Sequence, residues 1–152
     1  MLYETISYKT GTASFDAVLA HLSKCNDNFQ PPLDQKIDLK VYAEKIVKNA
    51  ITFEAWINEA LVGLIAAYFN DLKKETGYIT NVSTVKEYAG KGIASQLMSN
   101  AINYGKHHQF QLISLEVFCH NNSAVQLYKK YGFVKTGSNG ENIIMQKRLV
   151  NY

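Results

Sequence analysis

Two glycines in the middle of the chain could hold an anion. Gly90 and Gly92 lie between a β-branched run that ends at Val85 and a helical pattern that begins near Ile93. The first amides of a helix have no acceptor within the helix, and the aligned peptide dipoles give them partial positive charge. Glycine lets a phosphate approach such a backbone closely, and Lys91 adds a cation. The pattern predicts a phosphate site, and a tight turn without a ligand is the alternative.

The glycine spacing fits neither of the common nucleotide-binding motifs. A dinucleotide fingerprint needs a further glycine soon after Ala94, and the sequence has none there. A P-loop needs a lysine directly after its second glycine, where this chain has Ile93. The predicted anion site therefore belongs to another class.

A second informative stretch begins at Asn121. Ala124, Leu127 and Tyr128 recur at helical spacing, and the pattern stops at Gly132. On this pattern alone, Tyr128 is expected to pack in the core.

Together the two stretches resemble the GCN5-related N-acetyltransferases, the GNAT superfamily. The segment Ala89–Ala94 is similar to that family's acetyl-CoA-binding motif, in which Arg or Gln is followed by two residues, Gly, one further residue and then Gly or Ala. The segment Asn121–Phe133 is similar to the family's later motif, with Asn, Ala, Leu-Tyr and Gly-Phe at matching positions. One departure is plain, because Ala89 stands where the family has Arg or Gln. A side-chain contact to the pyrophosphate is therefore missing.

The resemblance implies a role for each matched position. Backbone groups of Val82 and Thr84 would bond the pantetheine arm of acetyl-CoA like an added strand, and the amides of the glycine turn would hold the pyrophosphate. Asn121 would contact the cofactor near the arm. Tyr128 would be the catalytic acid that protonates the departing thiolate. The implied cofactor-binding residues are Val82, Ser83, Thr84, Ala89, Gly90, Lys91, Gly92, Ile93, Ala94 and Asn121.

A general base is not evident from the sequence. Glu54, Glu75 and Glu116 are candidates, but the solvated surface is the expected place of each. On the strand before the glycine turn, Asn81 and Ser83 could only position a water. The chemistry needs no metal, because direct attack of an amine on a thioester requires only a deprotonated amine, a polarised carbonyl and a proton for the sulfur.

The elements that must position these groups alternate between strand and helix. Mixed hairpins and crossover helices predict an α/β sheet with both parallel and antiparallel neighbours. The resemblance sharpens this to a single GNAT-like domain over residues 1–152, with a mostly antiparallel sheet and helices on both faces. The predicted strands are Leu2–Lys9, Ile51–Ile57, Leu61–Phe69, Tyr78–Val85, Leu112–Phe118, Val134–Thr136 and Ile143–Leu149. The predicted helices begin after Ser14, after Asp38, near Gly90 and near Ala124.

The composition is that of one folded domain. The 152 residues are 47% hydrophobic and 19% charged, with a formal charge of +3 that is too small to indicate nucleic acid. Two cysteines and no visible signal peptide favour the cytoplasm. The longest apolar run, Leu61–Phe69, is too short to span a membrane.

The sequence therefore predicts an acyl-CoA-dependent N-acyltransferase that acetylates a small-molecule amine. An amino-sugar nucleotide, an amino acid, a polyamine and a protein amine all remain open as acceptors. The segment Asn26–Leu33 is a candidate wall of the acceptor pocket, although a loop with one anchored ring fits equally well. The alternative function is a non-catalytic acyl-CoA sensor or an interaction module, and a homodimer is open in either case.

Overall fold

The computed structural model describes residues 5–149 of the chain. Residues Leu2, Tyr3 and Glu4 of the predicted first strand lie outside the described residues. The seven strands within the described part are β1 (Ile6–Thr10), β2 (Ile51–Ile57), β3 (Ala60–Tyr68), β4 (Thr76–Thr84), β5 (Leu112–Phe118), β6 (Val134–Asn139) and β7 (Asn142–Arg148). The four α-helices found there are α1 (Phe15–Cys25), α2 (Leu39–Asn49), α3 (Ile93–His107) and α4 (Asn122–Lys130). Short 3-10 helices cover Asn26–Asn28, Leu33–Gln35 and Lys86–Tyr88.

The strands form one mixed sheet in the order β1-β2-β3-β4-β5-β7-β6. Only β4 and β5 are parallel neighbours among the described strands, and the other pairs are antiparallel. The long connection between these two strands carries α3, as a parallel pair requires. The predicted fold class, a mostly antiparallel α/β sheet, is confirmed.

Helices cover both faces of the sheet. In β3, Leu64 and Ala66 pack in a buried cluster with residues of α1 and α2. Their neighbours Ile65 and Ala67 pack in the other buried cluster, which contains the inner faces of α3 and α4. This alternation explains why the β3 sequence is apolar at nearly every position.

The first two helices begin where the sequence predicts. Ser14 Oγ accepts a hydrogen bond from Ala17 N at 3.1 Å, and Asp38 Oδ1 accepts one from Lys40 N at 2.9 Å. These side chains satisfy amides that the helix itself leaves free. The helical spacing of apolar residues after Asp38 predicts that Val47 shares one inner stripe of α2 with Ala43 and Ile46, and this is wrong for Val47, whose side chain is 40% exposed.

The last hairpin corrects a second prediction. The sequence predicts a turn over Gly137–Asn142 between the last two strands. Gly137 instead lies within β6 and pairs with Ile144, and the turn occurs at Gly140 with a φ of 60°. Most of β6 is exposed, so it lacks the apolar alternation that would have revealed its length. Among the described helices, none combines the length and the apolar character needed to cross a lipid bilayer.

Candidate functional site

The site begins where β4 and β5 separate. Among the described residues, β5 pairs with β4 only over Thr76–Ile79, while β3 continues to pair with β4 as far as Thr84. The stretch from Thr80 to Thr84 therefore has one side without a strand partner, which we call the free edge of β4. Such an edge presents backbone donors and acceptors to an extended ligand.

A β-bulge accompanies the separation. Ala66 pairs with Asn81 and Ala67 pairs with Ile79, so Thr80 is an extra residue in β4. The Tyr42 hydroxyl donates to the Thr80 carbonyl oxygen at 2.8 Å and thereby holds the bulge against α2. A bulge bends and twists its strand, so it accounts for the divergence of β4 from β5.

The backbone direction identifies which residues face the free edge. Val85 N donates to Val62 O at 2.8 Å, so the amide of Val85 points toward β3. Alternate residues of a strand direct their backbone groups to the same side, so Ser83 also faces β3. Val82 and Thr84 consequently direct their backbone groups to the free edge, as the predicted roles of these two residues require.

The glycine turn adjoins this edge at the start of α3. Gly90 and Gly92 have φ values of 78° and 80°, a conformation that L side chains rarely adopt. A Cβ atom on either glycine would meet nothing within 4 Å, so the turn borders open space. Gly92 is the N-cap of α3 and has no side chain with which to satisfy the first amides of the helix. These amides are available to an anion.

A glycine in β3 sets the position of α3. A side chain at Gly63 would collide with Ile93, the first residue of the helix. The close approach places the amino end of α3 directly against the sheet, next to the end of β4.

An open cleft of about 870 Å³ joins these features. It runs from the glycine turn along the free edge of β4 and past the outer half of β5. Its far wall includes Phe29, Gln30 and Leu33, so the segment Asn26–Leu33 does line the cleft, as one of the two interpretations of that segment predicted. Phe29 also packs against both buried clusters, so its ring is anchored as well.

Tyr128 lies on α4 at the wall of the cleft. Its side chain is 5% exposed, and its ring centroid is 6.0 Å from that of Phe133. Burial raises the pKa of the Tyr128 phenol above its ordinary value of 10.0. The hydroxyl therefore carries a proton at neutral pH, which is the state that a proton donor needs.

The remaining predicted residues occupy different positions around the cleft. Asn121 lines it and also caps α4, since its Oδ1 accepts from Ala124 N at 3.3 Å. Ala89 and Ala94 line the cleft near the turn. Lys91 is not among the lining residues, but its ammonium lies 5.3 Å from the ring centroid of Tyr88, which does line the cleft. The cation expected beside the glycines is thus held against an aromatic ring at the rim.

The three candidate bases lie in different environments. Glu75 is exposed, as predicted. The expectation for Glu54 is wrong, because this carboxylate is fully buried in β2, where it accepts hydrogen bonds from the Thr12 and Thr52 hydroxyls and from Trp56 Nε1. Burial would raise the pKa of Glu54, but these hydrogen bonds outweigh it and hold the pKa below its usual value. The side chain joins the start of α1 to β2 and does not reach the cleft.

Glu116 is the carboxylate that the cleft contains. It lies on the exposed face of β5 beyond the last residue that pairs with β4, and it is the only acidic residue that lines the cleft within residues 5–149. The Tyr78 hydroxyl donates to it at 3.5 Å and Asn139 Nδ2 donates at 3.3 Å. Burial and the negative charge of Glu116 raise the pKa of Tyr78.

His21 is a residue of this region that the sequence analysis missed. It lies on α1, is 1% exposed, and places its Nε2 atom 2.8 Å from Ser83 Oγ. Burial lowers the pKa of His21 to about 4, so the imidazole is neutral at pH 7. No local sequence pattern indicates that a histidine on an apolar helix face has a partner so distant along the chain.

The chain is similar to acetyltransferases along most of its length. The acetyltransferase (GNAT) family matches residues 15–133. N-alpha-acetyltransferase 30 of Schizosaccharomyces pombe is 32% identical over 55% of this chain and 57% of its own length. A probable spermine N(1)-acetyltransferase of Bacillus subtilis subsp. natto is 27% identical over 58% of this chain and 60% of its own length. The chain spans about half the length of the curated relatives it matches.

The fold is also found in solved structures. The PaiA N-acetyltransferase of Thermoplasma acidophilum, solved in complex with coenzyme A, superimposes with a TM-score of 0.74 at 16% identity. The superposition covers 93% of this chain and 99% of that one. At this identity the likeness concerns the fold alone.

Proposed function

The chain belongs to the acetyltransferase (GNAT) family, and we propose that it transfers the acetyl group of acetyl-CoA to the amine of a small molecule. The single observation that carries this proposal is the junction of two features in one cleft. The free edge of β4 offers backbone groups to an extended arm, and the amides at the start of α3 offer an anion site at its end.

The residues present fit acetyl-CoA as the acyl donor. A diphosphate suits the open space over Gly90 and Gly92, where helix amides and the helix dipole favour negative charge. The pantetheine arm carries amides that can pair with Val82 and Thr84. Ala89 supplies no side-chain hydrogen bond to the diphosphate, so the backbone must do most of the binding.

The reaction needs a proton donor at the sulfur, and Tyr128 is the group we assign to it. The amine nitrogen attacks the thioester carbon, the C–N bond forms and the C–S bond breaks. The departing thiolate takes the proton of the Tyr128 hydroxyl, which solvent then restores. Support for this role comes from the position of Tyr128 on the cleft wall, where it offers a phenol that is protonated at neutral pH.

We assign Glu116 to the acceptor amine. Its carboxylate can attract the charged form of the amine to the cleft, and it can take up the proton that the neutral amine loses as the C–N bond forms. Tyr78 and Asn139 hydrogen-bond to the same carboxylate and orient it. No other carboxylate among the described residues lines the cleft, which favours this assignment.

The proposal also specifies that the acceptor is a small molecule. The cleft continues past Phe29 and Lys36 into a depression of about 440 Å³ that also contains Asp27 and Glu141. A short amine with further polar groups fits such a partly enclosed space. The relatives include an enzyme named for spermine and enzymes named for protein α-amines, so a peptide amino terminus is the competing acceptor.

The test combines acetyl-CoA with two panels of acceptors, free amines and short peptides, and follows the release of free thiol. We expect release with at least one small amine and slower release with every peptide. Tyr128→Phe should lower kcat by about a hundredfold or more while leaving the affinity for acetyl-CoA unchanged. Binding of acetyl-CoA without release on either panel would instead support a sensor, the alternative that Ala89 favours.

A further inference from the structure

A chain of three polar side chains connects α1 to β4 within an otherwise apolar interface. His21 Nδ1 is 3.0 Å from Leu61 O in β3, and His21 Nε2 is 2.8 Å from Ser83 Oγ in β4. Ser83 Oγ in turn is 2.7 Å from Asn81 Oδ1. All three residues are at least nine-tenths buried, with exposures of 1%, 7% and 4% for His21, Ser83 and Asn81. The imidazole thus bridges two neighbouring strands from the helix side.

Packing alone does not require these polar groups. The neighbours of His21 on the inner face of α1 are Val18, Leu22 and Cys25, all fully buried, and Cys25 Sγ lies 3.7 Å from His21 Nε2. A buried polar chain costs free energy unless each member is paired, so an aliphatic side chain would fill the same space at lower cost. What the chain adds is direction, because hydrogen bonds fix angles that apolar contacts leave free.

The residues that this chain holds flank the free edge of β4. Ser83 directs its backbone toward β3, and the two residues on either side of it, Val82 and Thr84, direct theirs to the free edge. On that edge β5 offers no support beyond Ile79. A rotation of β4 at Ser83 would therefore turn both neighbouring peptide units away from a ligand.

We propose that His21 is a positioning residue for the acyl donor, which acts through Ser83 to hold Val82 and Thr84 in the orientation that the pantetheine arm needs. This inference rests on the proposed function. It assigns His21 no proton transfer and no contact with the donor, because the side chain does not line the cleft. It predicts an effect on the arm of the donor and none on the diphosphate, which is held at the start of α3.

Two substitutions at one position separate the two hydrogen bonds. In His21→Asn the side-chain amide reaches about as far as Nδ1, so it can keep the contact with Leu61 O and loses that with Ser83. In His21→Gln the side-chain amide reaches about as far as Nε2, so it can keep the hydrogen bond with Ser83 Oγ and loses the one with Leu61 O. Each variant forfeits one buried hydrogen bond, and we expect similar losses of thermal stability.

Two ligands separate the contribution of the pantetheine arm to binding from that of the diphosphate. Acetyl-CoA carries both, whereas 3′-phospho-ADP is the same molecule without the pantetheine arm. By titration calorimetry, His21→Asn should weaken acetyl-CoA binding about tenfold and should change 3′-phospho-ADP binding by less than about twofold. His21→Gln should bind both ligands within about threefold of the wild type.

The outcomes distinguish this inference from the proposed function. Wild-type protein that fails to bind acetyl-CoA overturns both. If the wild type binds, equal weakening of both ligands in His21→Asn means general loosening of the fold and overturns the positioning role, as does no weakening at all. Should His21→Asn not fold, Ser83→Ala removes the same hydrogen bond from the strand side and must show the same selective loss.

Discussion

The buried imidazole of His21 makes a quantitative prediction about stability and pH. An unfolded histidine titrates near pH 6.5, whereas burial, assisted by the charge of Lys24, lowers the pKa of folded His21 to about 4. The hydrogen bonds that the imidazole makes to the Leu61 carbonyl and with Ser83 oppose this shift. As the pH falls below 6.5, His21 binds a proton in the unfolded chain but stays neutral in the folded chain. Stability is therefore complete above pH 6.5 and is lost as the pH falls toward the folded pKa.

The magnitude follows from the difference in pKa. A separation of roughly two and a half units corresponds to about 3 kcal/mol, most of which is lost by about pH 4.5. Urea unfolding between pH 7.5 and 4.5, followed by the fluorescence of the single tryptophan, Trp56, measures this loss. The matched control is His21→Asn, which cannot titrate at this position.

The difference between the two curves isolates His21. The lowered pKa of Glu54 also costs stability as the pH falls, but it does so in both proteins and cancels. We expect the free energy of unfolding of the wild type to fall about 2–3 kcal/mol further than that of His21→Asn over this range. Parallel curves would refute the reasoning, because they would mean that folded His21 takes up its proton as readily as the unfolded residue.

Three further substitutions test the donor and acceptor sides of the cleft. Gly92→Val should abolish acetyl-CoA binding in calorimetry, while Gly140→Val, at another positive-φ turn outside the cleft, should leave it intact; equal losses would remove the turn from the mechanism. Ala89→Arg should tighten binding by about 1–2 kcal/mol through a charge-assisted hydrogen bond, and an unchanged dissociation constant would mean that another group already fills this role. Glu116→Gln should lower kcat while leaving acetyl-CoA binding unchanged; a wild-type kcat would exclude Glu116 as the base.

Most of the fold was predictable because its signals are local. The apolar run of β3 follows from its two buried faces. The alternation in Ile51–Ile57 correctly predicts a strand, but the single buried face that it implies is wrong, because Thr52 and Glu54 on the other face of β2 are buried too. The caps at Ser14 and Asp38 act on amides two or three residues away. The glycine turn is also a local signal, because glycine is the residue type that adopts positive φ values most readily.

The errors concern residues whose partners are distant along the chain. Glu54 accepts hydrogen bonds from Thr12, 42 residues earlier, and His21 contacts Ser83, 62 residues later. No window of sequence contains both members of either pair, so local patterns place the carboxylate at the surface and assign the histidine no role. The bulge at Thr80 was equally hidden, because it is defined by the register with β3 and not by a residue type that favours bulges.

The same long-range contacts bear on how the two halves of the cleft communicate. The part of the cleft that we assign to the acyl donor packs on the buried cluster beneath α3 and α4. The part that we assign to the acceptor is walled by the connection between α1 and α2. If the halves were independent, substitutions in Asn26–Leu33 would alter acceptor choice without affecting the donor. Asn28 Nδ2, however, donates to the Thr84 carbonyl at 3.3 Å, and His21 holds the adjacent Ser83. Because both contacts end on adjacent residues of β4, a movement of the acceptor wall must also move backbone groups that we assign to the donor.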